Sequence, residues 1–438
     1  MTYQGHTVRQ LPLLLACLLL QACTQTQKGL EQTLLLAVNG PDDVTVTDQQ
    51  VNNLPYASLY ARLNEGPRIF VVLGYNEKGQ QKWVTQDQAM LVTQHGRLVK
   101  TLGLPDNLLS VSNLQQDPLA DSLHISNGAG WTRIVQWTEQ GKVRGATVRS
   151  TFQRGTDEVL TVAGNRIPCR VWHEQVSIDS SNREWENTFW IDNSSGDVVQ
   201  AHQMLAADAF PATAQVIVHA PHNGGQAELS QVADLSQLVT LPPLQVNTDW
   251  RATFIAERGA SAVAQQHYQQ TLGALRAWRA DSSGDRAAAI DEVIRQLNAI
   301  KVAGRQFTSL DPDWIRLHPA DNRRLEGSYD LYLQAPSDSV LLLGALSGAG
   351  KVSWQPGKSV RDYLDGHDAL SGAERNFVTV IAPSGATQQV PVAYWNHRHA
   401  EVEPGSIIWL GFSSWSLPGS YEDLNERILS VLTHRIPD

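Results

Sequence analysis

Between residues 57 and 205 the chain alternates short apolar-rich runs with turn-forming residues. Ala57–Leu63, Arg68–Tyr75, Gln81–Val84, Ala89–Thr93 and Arg97–Leu102 form one group. Thr132–Trp137, Val143–Gln153, Glu158–Val162, Arg166–Val176, Arg183–Ile191 and Val198–Leu205 form another. Between them stand Glu65-Gly-Pro, Asn76–Gly79, His95-Gly96, Glu139-Gln-Gly, Ala163-Gly-Asn and Asn193-Ser-Ser-Gly. Short runs of this kind, separated by turn chemistry, predict an antiparallel meander that curls into a barrel or stacks as a sandwich. No helix longer than a turn or two is expected before residue 205.

What precedes this region reads as an export signal. Arg9 is the only formal charge before residue 28, and Leu11–Leu20 is an apolar run. That run is shorter than the roughly 20 apolar residues a spanning helix needs, and it fits a secretory segment. It ends in Leu20-Gln-Ala-Cys23, which resembles a bacterial lipobox. The resemblance implies cleavage before Cys23, diacylglycerol on its sulfur, and, with Thr24 next, sorting to the outer membrane. Acyl chains rather than a helix would hold the protein there. Of three cysteines, Cys17 leaves with the signal and Cys23 carries lipid, so Cys169 is left alone. No intramolecular disulfide is expected, and stability must come from packed cores. The formal net charge of -10, without a basic tract, argues against a nucleic-acid partner.

Ala206–Ala214 reads as a linker, giving a signal peptide over 1–22, a β-meander over 23–205, a linker over 206–214 and a second region over 215–438. In that region Ser261–Ala280 and Ser283–Val302 repeat apolar residues at three- and four-residue steps, which predicts a helical hairpin. From Gly327 to Phe412, strand-like runs joined by Gly and Pro turns surround one short helix, Ser359–Leu364. The tail, residues 420–435, lines up Tyr421, Leu424, Ile428, Val431 and Leu432 on one face of an amphipathic helix. The pattern favours docking of this face on its own domain; contact of these five side chains with a partner or a membrane surface is the alternative.

Local chemistry is sparse. Gly344–Lys351 has the wrong spacing for a phosphate loop, and Val352 follows the lysine. His397 and His399 supply only two local imidazoles, so no metal is expected. Asp311 and Asp313, separated by Pro312, read as a cap for a helix starting near Trp314 rather than as paired catalytic carboxylates. No Gly-x-Ser-x-Gly elbow occurs. No catalytic residue and no cofactor are expected.

Several motifs resemble known families. Ser328-Tyr-Asp-Leu-Tyr, Val340–Ala345, Val360–Leu364, Ala382–Gly385, Trp395-Asn396 and Glu403–Ile408 resemble the GfcC/YjbG capsule and exopolysaccharide proteins, as do Gly304-Arg305 and Leu310–Arg316. Tyr56-Ala-Ser, Val72–Gly74, Lys82-Trp83 and Gly96–Leu104 resemble the GfcB/YjbF lipoproteins. The chain thus looks like a fusion of two families that usually occur as neighbouring separate proteins. The resemblance implies a β-rich α+β fold: an antiparallel β-meander or deformed barrel, then two β-grasp modules related to the Wza-type export channel, with a helical hairpin insert and a C-terminal amphipathic helix. It implies an Arg-centred pocket at Arg305, with Arg316 a second candidate, suited to an acidic sugar or carboxylate; the alternative is that Arg305 pins a strand end through a backbone carbonyl. The function it implies is that of a non-catalytic outer-membrane lipoprotein. Such a protein would assist capsule or exopolysaccharide assembly or export by binding the export channel or an acidic glycan. The alternative is a periplasmic glycan-modifying hydrolase or transferase.

Overall fold

The computed structural model describes residues 57–63, 68–162, 164–204, 211–217, 234–240, 247–325 and 329–438. The expected signal peptide and lipidation site at Cys23 lie outside the described residues.

The first half is one curled sheet. Its strands are β1 (Ser58–Leu63), β2 (Arg68–Glu77), β3 (Gln80–Val84), β4 (Met90–Gln94), β5 (Arg97–Leu102), β6 (Leu108–Val111) and β7 (Gly130–Glu139). They continue as β8 (Lys142–Arg154), β9 (Glu158–Val162), β10 (Asn165–Ile178), β11 (Glu184–Asp192), β12 (Val198–Met204) and β13 (Pro211–Ile217). The pairing order is β5-β4-β3-β2-β1-β13-β12-β11-β10-β8-β7-β6, with β9 beside β10. Every ladder in it is antiparallel. The terminal strands β5 and β6 are linked through Thr101, whose hydroxyl accepts from Leu108 N at 2.9 Å and donates to Asn107 Oδ1 at 3.1 Å. Side chains there satisfy polar groups that a backbone ladder would otherwise satisfy. The largest core of this half gathers Leu59, Val71, Trp83, Leu91, Val135, Trp137, Val148, Val176 and Ile178.

The strand pattern read from sequence is present, with one difference of consequence. Residues 211–217 are divided by the sequence reading between a linker and the second region. They form β13, inserted between β1 and β12. Its first four residues, Pro-Ala-Thr-Ala, are poor in the β-branched and aromatic residues that mark strands, so the two neighbouring ladders rather than propensity hold them extended, while Gln215-Val-Ile217 carries the strand signal.

Among its described residues the second half has two sheets. One pairs β14 (Phe254–Glu257) with β15 (Tyr329–Tyr332). The other contains β16 (Ser339–Gly344), β17 (Gly350–Ser353), β18 (Phe377–Ile381), β19 (Thr387–Pro391) and β20 (Ile407–Leu410), ordered β17-β16-β20-β18-β19. Its β16 and β20 run parallel, and the flanking ladders are antiparallel. Helices are α1 (Leu235–Val239), α2 (Arg258–Ala280), α3 (Gly284–Asn298), α4 (Pro312–Leu317), α5 (Val360–Leu364) and α6 (Leu424–Thr433). The α2–α3 pair starts from a side-chain cap, in which Glu257 accepts from Gly259 N and Ala260 N. Leu272, Leu275, Trp278, Ile290, Val293 and Leu297 bury its apolar stripe against the five-stranded sheet in one continuous core. Gln296 ties helix to sheet: its amide donates to Gly344 O at 2.9 Å and accepts from Gly344 N at 2.7 Å.

Candidate functional site

Gly304 and Arg305 follow the short segment that returns from α3 to the edge of β14. Gly304 lies so close to the start of α2 that a Cβ would stand 2.2 Å from Ser261 N. Only glycine lets the backbone approach that far, and this closeness places Arg305 at the floor of a cleft of about 280 Å³. Ala260, Val263, Ala264 and His267 of α2 form one wall, and Ser430, Val431 and His434 at the end of α6 form the other.

Arg305 is 9% exposed. Its Nη2 donates to Pro383 O at 2.7 Å, and its Nε has no hydrogen-bond partner among the described residues. The guanidinium stacks 4.6 Å from the Phe254 ring and 5.7 Å from the Phe307 ring. Burial lowers its pKa to about 10, so it stays cationic at neutral pH. A buried cation held by rings and one carbonyl has capacity left for an anion.

Arg316, the second candidate, lies elsewhere. It is on α4, where Asp311 caps the helix by accepting from Asp313 N at 3.0 Å, as the sequence implies. Arg316 forks onto Glu77 of β2, with Nη1 2.9 Å from Oε2, and stacks 4.1 Å from the Tyr75 ring. Lys82 reaches Asp313 at 2.6 Å and Glu77 at 3.0 Å. Lys100 reaches Asp311 at 2.6 Å and Asp313 at 3.0 Å. Three cations thus face three carboxylates across the junction of the two halves. Burial would raise the Asp313 carboxyl, but Lys100 and Lys82 outweigh it and hold it below its usual range. Burial would lower Lys100, but Asp311 and Asp313 hold it above its usual value. The stabilisation from Asp313 is therefore complete above the carboxylate range of an unfolded chain and fades as pH falls through the lower folded value. That from Lys100 is complete below the ordinary lysine range and fades as pH rises through the higher folded value. The network spans neutral pH.

Leu424, Ile428, Val431 and Leu432 of the terminal helix are buried in the core of the second half, and Tyr421 is half-buried beside them. A partner contact by these five side chains would require this face to leave that core. Cys169 is a buried free thiol. The sequence reading did not single out His267, His434 or Glu77, and it placed Lys82 and Lys100 in family motifs without giving them a role. Lys100 alternates with Leu98 and Leu102 along its strand, which is the signal that was available, whereas Lys82 follows two glutamines and carried none.

Three family matches divide the chain. Residues 31–217 match the family described as group 4 capsule polysaccharide lipoprotein gfcB, YjbF. Residues 212–336 match capsule biosynthesis GfcC, N-terminal, and residues 348–437 match capsule biosynthesis GfcC C-terminal. The chain is 45% identical over 214 residues to the Escherichia coli K12 "uncharacterized lipoprotein GfcB", covering 49% of this chain and 100% of that protein. It is 50% identical over 205 residues to the E. coli lipoprotein YjbF (47% and 95%) and 40% identical over 217 residues to the E. coli protein YjbG (49% and 89%). The crystal structure of the hypothetical lipoprotein YmcC from E. coli is 48% identical, covering 40% of this chain and 91% of that one with a TM-score of 0.39. The chain therefore belongs to the GfcB/YjbF capsule-lipoprotein family in its first half and to the GfcC capsule-biosynthesis family in its second.

Proposed function

We propose that the protein is a non-catalytic lipoprotein of the outer membrane, facing the periplasm, that assists assembly or export of a capsular or exopolysaccharide by binding an anionic group of the glycan. Membership of two capsule families supports the role. The observation that carries the binding step is Arg305, a buried guanidinium at a cleft floor with no ion pair among the described residues. Its planar fork suits a uronate carboxylate, and Phe307, 56% exposed and with its ring 5.2 Å from that of His434 in the cleft wall, offers a face to a sugar ring. A lipid on Cys23 is the proposed anchor, and no described helix is long and apolar enough to cross a membrane.

Titration with oligogalacturonate is expected to give saturable binding that Arg305→Ala weakens about tenfold or more, the scale of a charge-assisted hydrogen bond. Neutral maltooligosaccharide should bind weakly to both proteins. Equal affinity of the wild type and the variant for the acidic probe would refute the role of Arg305. Cys23→Ala is expected to move the protein from the membrane fraction to the soluble periplasm, read by fractionation; unchanged membrane association would place the anchor elsewhere. Incubation with the purified cognate polysaccharide should release no new reducing ends, and their release would favour the glycan-modifying enzyme.

A further inference from the structure

The α4 helix serves two cores at once. Ile315 packs inward with Leu235, Val239, Ile255 and Leu310 of its own half. Leu317 packs outward onto Met90, Val92 and Val99 of the first half, with Tyr75, Val84, Leu102 and Leu114 around it. Met90 and Val92 are fully buried, and Val99 is nearly so. Around this apolar centre stand the three cations and three carboxylates at Glu77, Lys82, Lys100, Asp311, Asp313 and Arg316. The two shortest contacts of Asp313, at 2.6 and 3.0 Å, both come from the other half. A second contact lies near the start of β8. Gly145 N donates to Glu401 Oε1 at 3.0 Å, and Arg144 Nε lies 3.6 Å from the same carboxylate. The Trp354 ring passes so near Gly145 that a Cβ there would stand 3.3 Å from it.

An apolar centre ringed by complementary charges has the anatomy of an interface between separate proteins. The relatives point the same way, since GfcB and YjbG are each covered almost whole by about half of this chain.

We propose that this junction is a docking interface in its own right, and that the partner the first half is built to bind is a GfcC-type domain presenting Asp311, Asp313, Arg316 and Leu317 on one short helix. The covalent link raises the effective concentration of the two halves but is not what holds them together. Here the surface serves in cis, and the same surface accepts a GfcC-type domain from another chain. This reading is independent of Arg305 and of any glycan.

The test uses the full chain with a site-specific protease sequence inserted between residues 218 and 233. After cleavage the halves are expected to co-elute on gel filtration at physiological salt. Lys82→Glu with Lys100→Glu should weaken the association about a hundredfold or more, so that the cut halves elute apart. Adding Asp311→Lys with Asp313→Lys re-pairs the charges in reverse and should restore co-elution. Separation of the cut wild-type halves would overturn the proposal, as would co-elution of the halves after cleavage of the Lys82→Glu, Lys100→Glu double variant. Failure of the reversed pairs to re-associate, with both halves showing wild-type circular dichroism, would overturn it too. Restored co-elution also excludes misfolding as the cause of the first loss.

Discussion

Glu174→Ala is expected to destabilise the first half by about 3–5 kcal/mol, the cost of removing one partner from a buried ion network. Glu174 is fully buried. Its Oε2 accepts from Arg97 at 3.0 Å and Asn187 at 2.9 Å, and its Oε1 faces Arg133 Nη1 at 3.2 Å. Asp117 pairs with Arg97 from the opposite side. The Trp131 ring lies against both guanidiniums, 4.4 Å from that of Arg97 and 4.1 Å from that of Arg133. Two cations and two anions balance inside the curled sheet. Deleting Glu174 leaves Arg133 without a carboxylate partner, and burial already lowers its pKa to about 10.

Burial would raise the Glu174 carboxyl, but Arg97 and Arg133 outweigh it and bring its pKa to about 2. A depressed carboxylate stabilises fully above its unfolded value and loses that contribution as pH falls through the folded one. The stability difference between wild type and Glu174→Ala should therefore be full at pH 7 and shrink between about pH 4.5 and pH 2. Urea unfolding followed by circular dichroism checks both statements. A difference below about 1 kcal/mol at pH 7 would show the network to be dispensable.

The second large effect is expected at Gly344. Its φ is +116°, a region that side-chain-bearing residues rarely adopt. A Cβ there would stand 2.0 Å from the backbone oxygen of Leu410 on the parallel neighbour β20. Gly344→Ala must therefore both strain the backbone and break the β16–β20 contact, and the Gln296 clamp lies at the same residue. A loss on the order of 3–5 kcal/mol is expected in the second half. Gly350, also at positive φ but with open space around its α-carbon, is the control: alanine there should cost only the backbone strain. Thermal melts of the two variants should separate widely, and equal melts would mean that the sheet yields at Gly344.

The sequence makes local order legible and distant pairing illegible. The meander of the first half could be read because turns and alternation are local signals. Helices α2 and α3 could be read because their apolar residues recur at helical steps. The capping role of Asp311 could be read from its neighbour Pro312. What could not be read depends on residues far apart. Arg316 and Glu77 are 239 positions from one another, and no spacing rule connects them. Arg316 therefore read as a ligand-binding arginine, although its fork holds a carboxylate of the other half. Glu174 is an intermediate case. It alternates with Trp172 and Val176, both buried, so a charge on the core face of β10 was visible in principle; its partners Arg97 and Arg133 were not. At the Arg305 site, the arginine was reachable by family resemblance, but the walls from α2 and α6 were not, because they come from opposite ends of the second half.

The position of β13 has a mechanical consequence. The chain leaves the curled sheet from a strand flanked by β1 on one side and β12 on the other, antiparallel to both. Hydrogen bonds in such ladders run across the strands. If the first half is tethered to a membrane and the second is pulled by whatever it holds, the load enters β13 at Ile217. Ser58, where the chain enters β1, is the cross-strand partner of Ile217, where it leaves β13, so a pull between these two ends opens the β1–β13 ladder from that end, one bond after another. Entry and exit of the first half thus lie side by side at one end of a single ladder, and the first bonds to feel a pull on the second half are those between Ser58 and Ile217.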